Sequence, residues 1–267
     1  MLANFGFGAL LLAFVISLYG IGAAIFGARK NSLAWVESAR AAMLLTFPLI
    51  TLTALALVAL LVRGDYQVQY VYNVTSSTMP LYLKITALWG GQAGSLLFWS
   101  WLLAAFASAV MLRRWDRDRE FQPWVIVVSL VTLAFFLGMS VFLENPFERF
   151  WQTAGGQQVV ALFQPAGALA VSPPDGRGLN PLLRHPGMII HPPMLYLGFV
   201  SFVIPFAFGI AALITGRSDD RWIRVTRRWT LVAWLFLSLG LILGSRWAYD
   251  VLGWGGYWAW DPVEIAA

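Results

Sequence analysis

Six uncharged apolar runs punctuate a chain of 267 residues, separated alternately by short basic turns and by longer aromatic-rich stretches. The runs cover roughly 5–26, 41–62, 85–112, 123–143, 193–214 and 229–244, and none contains Lys, Arg, Asp or Glu. A helix rises about 1.5 Å per residue, so such runs are on the scale of a hydrocarbon layer about 30 Å thick. The pattern predicts an all-α fold: a polytopic transmembrane helical bundle of about six spans. The third run is long and interrupted by WGGQAGS (89–95), so its first turns are expected in the membrane interface. The first run has no basic flank before it and is too long for a cleaved signal, which predicts a span that stays.

The polar turns set an orientation. Arg29, Lys30 and Arg40 follow the first span, Arg113, Arg114, Arg117 and Arg119 the third, and Arg217, Arg221, Arg224, Arg227 and Arg228 the fifth. Twelve of the 18 basic residues therefore sit in alternate loops. The positive-inside rule places those loops in the cytoplasm and the N-terminus outside. The opposite loops carry the length: 63–84, rich in aromatic and β-branched residues, and about 144–187, rich in Pro and Gly without a helical period. The expected organisation is a bundle over 1–244 with that outer loop, followed by an outer tryptophan-rich segment over 245–267.

Composition agrees. Hydrophobic residues make up 59% and charged residues only 12%, against about 25% in soluble domains. The net charge of +5 needs no nucleic acid, because topology already accounts for the basic loops. Without cysteine the chain supplies neither disulfide nor thiolate. Its two histidines, His185 and His191, could complete a zinc site only with carboxylates or another chain. Uncharged spans argue against a proton pump, an ion-coupled transporter or a voltage sensor. WGGQAGS is not a phosphate loop, since no Lys follows it. Pro48, Pro205 and Gly240 read as ordinary membrane-helix residues, and Asn73-Val74-Thr75 as a chance glycosylation pattern.

Two stretches carry candidate chemistry. In MIIHPPMLY (188–196) the residue before proline is pushed out of the helical region, so the fifth span is expected to start at Pro193. His191 would then stand at the outer rim, either as an interfacial hydrogen-bonding group or as an axial ligand for haem iron. His185, in the loop before it, reads as structural. In WGGYWAWDPVE (254–264), Trp254, Tyr257, Trp258 and Trp260 lie past the sixth span. They suit an aromatic belt. Beside Gly253, Gly255 and Gly256 they equally suit a stacking platform for a large flat ligand such as a porphyrin. Arg246 could meet a propionate. Asp261-Pro262-Val263-Glu264 is a capped helix start with three residues after it, so a seventh helix is expected to continue.

These residues resemble a known group. WGGYWAWDPVE is similar to the WWD signature of haem-handling proteins of cytochrome c biogenesis. Segments 65–99, ENPFER (144–149), 175–200 and 227–264 resemble, in order, the CcmF-type haem lyase family, in its N-terminal part. The resemblance implies a haem (haem b) platform at Trp254, Gly255, Gly256, Trp258, Trp260 and Asp261, with His191 as an axial iron ligand. It implies a bacterial inner-membrane protein that takes haem from a CcmE-type chaperone. With a CcmH-type thioredoxin-fold subunit, it would join haem to the CXXCH cysteines of apocytochrome c. This length alone is expected to be inactive, because the family's further histidines lie downstream. A haem exporter, a single-chain synthase with the same surface, and a non-catalytic membrane scaffold are the alternatives. The chain departs from the family at WGGQAGS, where WGxHEGS is common, and at VEIA, where VENA is usual.

Overall fold

The computed structural model describes residues 1–113, 119–217 and 219–252. The masses of apolar sequence fold as helices: α1 (Leu2–Lys30), α2 (Leu33–Arg63), α5 (Gln92–Met111), α6 (Gln122–Phe142), α7 (Gly187–Ser201) continued by α8 (Val203–Ile214), and α9 (Arg221–Leu252). Two short helices, α3 (Gln69–Val74) and α4 (Leu81–Thr86), lie between α2 and α5. Six segments are long and apolar enough to cross a membrane, with α7 and α8 together forming the fifth. This is a multi-pass membrane protein.

Hydrocarbon gives apolar helices no reason to leave lipid for one another, so close packing has to hold the bundle together. Apart from Leu10, the face that α1 buries is made of small residues, among them Gly6, Ala9, Ala13, Ser17, Gly20, Ala24 and Gly27, three or four apart. That stripe lets the backbones approach. A Cβ on Gly27 would come within 2.8 Å of Val36 on α2. The α1–α2 turn is made by Asn31, left-handed at φ 49°, whose N–H returns to the end of α1. Larger residues fill the centre, where Leu10, Met43, Ile50, Leu57, Leu97, Leu130 and Leu137 have no exposed surface. Leu11, Leu12, Leu18, Phe135, Trp234 and Ile242 point outward, as a lipid-facing surface requires.

At the basic end, Arg40 donates through Nε and Nη2 to the carbonyl of Met111, at 3.0 and 2.7 Å, and so caps the last turn of α5. At the other end the long loops are ordered. The stretch without helical period contains a three-stranded antiparallel sheet, β1 (Arg149–Gln152), β2 (Gln158–Ala161) and β3 (Leu169–Ala170), in the order β2-β1-β3. Trp151 pairs with Val159 and with Ala170. Arg149 ties this sheet to the bundle. Its Nη2 donates to Asn4 at 2.7 Å and to the carbonyl of Leu162, while its guanidinium lies 5.1 Å from the Trp151 ring centroid.

The boundaries of most spans differ from the sequence expectation; α1 and α2 run past 5–26 and 41–62 because the polar residues flanking those runs continue the helices. The third starts at Gln92 rather than near residue 85, because α4 and a 3-10 turn (Ala87–Trp89) end at Gly90 and Gly91. Gly94 is required there: a Cβ would overlap the Tyr70 hydroxyl and the Leu88 carbonyl. The sixth helix is far longer than 229–244, since the basic turns before it and Arg246, Trp247 and Tyr249 after it continue the same helix. The fifth starts at Gly187, six residues before the expected Pro193.

Candidate functional site

The early start of α7 places Pro192 and Pro193 inside the helix and His191 on its second turn, not before it. A proline within a helix removes one backbone donor and leaves a carbonyl four residues back without its partner. For Pro192 that carbonyl belongs to Met188, and the indole Nε1 of Trp89 donates to it at 3.0 Å. A tryptophan from the WGGQAGS segment thus completes the proline-interrupted turn. The first turn is closed by Met188 N–H to His185 O and Ile189 N–H to Pro186 O, at 2.9 and 3.0 Å. His185 is a local cap, its Nδ1 accepting from the N–H of Gly187 at 3.1 Å.

From there α7 runs antiparallel to α9 through a ladder of close approaches. Gly187 faces Trp247, His191 faces Gly244, Leu195 faces Gly240, and Gly198 faces Leu237. At each rung one member is glycine, so the other can enter the space its side chain would fill. A Cβ on Gly240 would lie 2.6 Å from the Leu195 Cα, and one on Gly198 would overlap the backbone of Leu237. Gly240 is therefore not an ordinary membrane-helix glycine. Gly240-Leu-Ile-Leu-Gly244 has the G-x-x-x-G spacing of a helix-pairing face, and that signal could have found both residues.

The ladder fixes the His191 ring. Its Nδ1 lies 2.9 Å from the carbonyl oxygen of Gly240. A carbonyl only accepts, so Nδ1 carries the proton and Nε2 keeps its lone pair. Trp247 lies against the imidazole, with ring centroids 6.0 Å apart and planes 18° from parallel. The Trp247 Nε1 is buried without a partner. A half-buried imidazole with one nitrogen anchored to backbone and the other left as a donor pair is the usual arrangement of a metal-ligating histidine. An unpaired indole N–H beside it suits a ligand with acceptor oxygens.

The remaining expectations stand differently. Arg246 is on the last turns of α9, largely exposed, with its Nε paired to Asp250 Oδ2 at 2.9 Å and its guanidinium 5.7 Å from the Tyr249 ring centroid. The structure therefore gives Arg246 a carboxylate partner of its own and does not bring it onto the His191 ring. Trp254, Gly255, Gly256, Trp258, Trp260 and Asp261 lie outside the described residues, as does the expected start of a seventh helix. Among the described residues, no group of three His, Cys, Asp or Glu could hold a metal ion.

Comparison with known proteins gives the family. The family model described as cytochrome c assembly protein matches residues 89–267. CcmF of Haemophilus influenzae, a cytochrome c-type biogenesis protein, is 39% identical over 99% of this chain and 38% of its own length. CycK of Bradyrhizobium diazoefficiens, also named for cytochrome c-type biogenesis, is 41% identical over the whole of this chain and 38% of its own. A solved structure of the cytochrome c haem lyase CcmF superposes with a TM-score of 0.80 at 30% identity, covering all of this chain and 39% of that one. The chain thus spans under two fifths of the length of the relatives it matches. The match takes in the His191 turn, the α7–α9 ladder and the tryptophan-rich segment, and the chain belongs to the cytochrome c assembly protein family.

Proposed function

We propose that this chain is part of a CcmF-type haem lyase and supplies haem-handling surface for cytochrome c maturation. The observation that carries the reading is the His191 imidazole, anchored through Nδ1 to Gly240 with Nε2 free, in a chain of this family. His191 is the axial iron ligand in this reading. Trp254, Trp258 and Trp260 offer indole faces to the porphyrin, Gly255 and Gly256 allow its close approach, and Asp261 caps the helix that follows. Arg246 reaches a propionate only by exchanging it for Asp250, so its contribution is secondary. The division into a bundle over 1–244 and an outer segment over 245–267 belongs to the same proposal.

The haem bound is haem b, and it is the substrate as well as the group held. Bound haem supplies the vinyl carbons to which the substrate's cysteine thiols add. The chain's own part is to hold and orient: the α7–α9 ladder fixes the imidazole, and the cysteine-free sequence leaves both thiols to apocytochrome c. A CcmE-type chaperone delivers haem, and a CcmH-type subunit brings the apocytochrome. The membrane is a bacterial inner membrane in this reading, and basic residues at the ends of alternate spans favour an orientation with the N-terminus, the β1–β3 sheet and the His191 turn outside.

The test is spectroscopic. The full-length protein, purified in detergent, should show a Soret band, and His191→Ala should reduce haem occupancy. A variant that retains full occupancy removes His191 from the ligand set, and a wild type that never binds haem favours a membrane scaffold.

A further inference from the structure

The proposed haem site rests on one imidazole, and the structure shows what aims it. Three groups from α9 surround the His191 ring. The Gly240 carbonyl accepts from Nδ1 at 2.9 Å, and Trp247 covers one face. Gly244 meets the Nδ1–Cε1–Nε2 edge: a Cβ there would overlap Cε1 and would lie 2.9 Å from Nδ1 and 3.1 Å from Nε2. The imidazole therefore occupies the volume that any side chain at residue 244 would take. Gly240 and Gly244 are one turn apart, so a single stretch of α9 provides both the acceptor for Nδ1 and the notch for the ring edge.

We infer that Gly244 is a positioning residue for haem ligation: its missing side chain lets the Gly240 carbonyl lock His191 as the Nδ1–H tautomer, with Nε2 presented to iron. The inference rests on the proposed ligand role of His191 and adds how that role is set. A methyl group at 244 leaves the ring two ways out. It can rotate about χ1 or χ2, which breaks the Nδ1 bond and frees the tautomer, or it can push α9 away and open the rungs at Gly240 and Gly198. Both displace Nε2. Neither changes the charge, the polarity or the number of ligands. A glycine on another helix serves as comparison: Gly8 of α1 has nothing within 4 Å of its hypothetical Cβ, so the same substitution there meets open space.

The tautomer is directly observable, because a protonated and a bare imidazole nitrogen are chemically distinct. The haem-free full-length protein, purified in detergent with 15N-labelled histidine, should give a His191 signal with protonated Nδ1 and bare Nε2. The signal that is lost in His191→Ala assigns it. Gly244→Ala should mix the tautomers, weaken haem binding about tenfold, and change the ferric haem's electron paramagnetic resonance and Fe–His stretching signatures. Gly8→Ala should change none of these. The wild-type tautomer needs no variant, so a misfolded Gly244→Ala leaves the test intact. Protonated Nε2 in the wild type overturns the inference, as does Gly244→Ala with an unchanged tautomer and unchanged haem spectra. Full haem occupancy in His191→Ala would instead overturn the ligand reading beneath it.

Discussion

The indole nitrogen of Trp89 donates to the carbonyl oxygen of Met188 at 3.0 Å, taking the place of the backbone donor that Pro192 lacks. The bond joins the turn before α5 to the turn that carries His191, 99 residues apart. Trp89→Phe keeps a ring against Phe98, whose centroid is now 5.3 Å away, and deletes only the donor. An orphaned carbonyl at this depth costs about 1–3 kcal/mol, which should lower the thermal midpoint measured in detergent. Pro192→Ala restores a backbone N–H to the same carbonyl. In that background Trp89→Phe should cost clearly less, so the two changes should not be additive. Equal costs in both backgrounds would mean that the indole does not substitute for the missing helix bond.

Close approach across α7 and α9 gives a second prediction. A Cβ on Gly198 would overlap the Leu237 backbone nitrogen and Cα, atoms that cannot swing aside. Gly198→Ala should therefore cost about 1–3 kcal/mol by overpacking. Gly20→Ala meets the far end of Leu130, Cδ1 at 2.5 Å, which can change rotamer, so its cost should be smaller. Gly8→Ala should be neutral or stabilising by up to about 1 kcal/mol, since it only improves helix propensity. The order of melting temperatures, Gly8→Ala above Gly20→Ala above Gly198→Ala, is the result to check.

The six crossings were legible because uncharged apolar length is itself the signal, and hydrocarbon tolerates little else. The start of the fifth was misplaced because His191-Pro192-Pro193 looks like a helix beginning when read locally. What overrides that preference is Trp89, a partner the sequence gives no means of pairing with Met188. The three-stranded sheet is not legible because its strands have four, four and two residues, too few for an alternation to register. Gly240 and Gly244 were readable as a G-x-x-x-G face, but which helix would face them was not. His191 stands out in the sequence by its chemistry. Its anchoring could not be, because the acceptor is a backbone carbonyl, present at every residue and marked by no side chain.

Tyr70 provides a third test, at the turn that sets where the third span begins. Its hydroxyl lies 2.8 Å from the carbonyl of Ala87 and 3.0 Å from that of Leu88, and its single proton is shared between them. Burial raises the phenol's pKa, so the group stays a donor through the ordinary pH range. Tyr70→Phe should cost about 1–2 kcal/mol and speed amide exchange over Ala87–Gly94 while leaving α6 unaffected. Uniform exchange changes along the chain would show a global effect instead of a local one.

The last prediction concerns pH. Asp175, in the long loop, accepts from the Ser77 backbone N–H and from its hydroxyl, both at 2.7 Å, and from the Gly176 N–H at 2.7 Å. These bonds, the Ser77 hydroxyl first, hold its pKa at about 2. An unfolded aspartate titrates near ~3.9, so the folded state favours the carboxylate. The loop gains this stabilisation fully above the unfolded value and loses it as pH falls from about 4 towards 2. Tyr66 reports the same contact from the other side, its pKa raised first by burial and then by its hydrogen bond to Asp175. Acid-stable protease digestion should therefore cut the 172–187 segment faster on acidification through that window. Asp175→Asn should cut faster already at neutral pH and lose the pH dependence, because an amide cannot titrate. Ser77→Ala should raise the Asp175 pKa and move the window upward, since it removes the largest cause of the shift and leaves the two backbone donors in place. A digestion rate that does not respond to pH in the wild type would show that the loop is held by Arg149 and the β1–β3 sheet without this carboxylate.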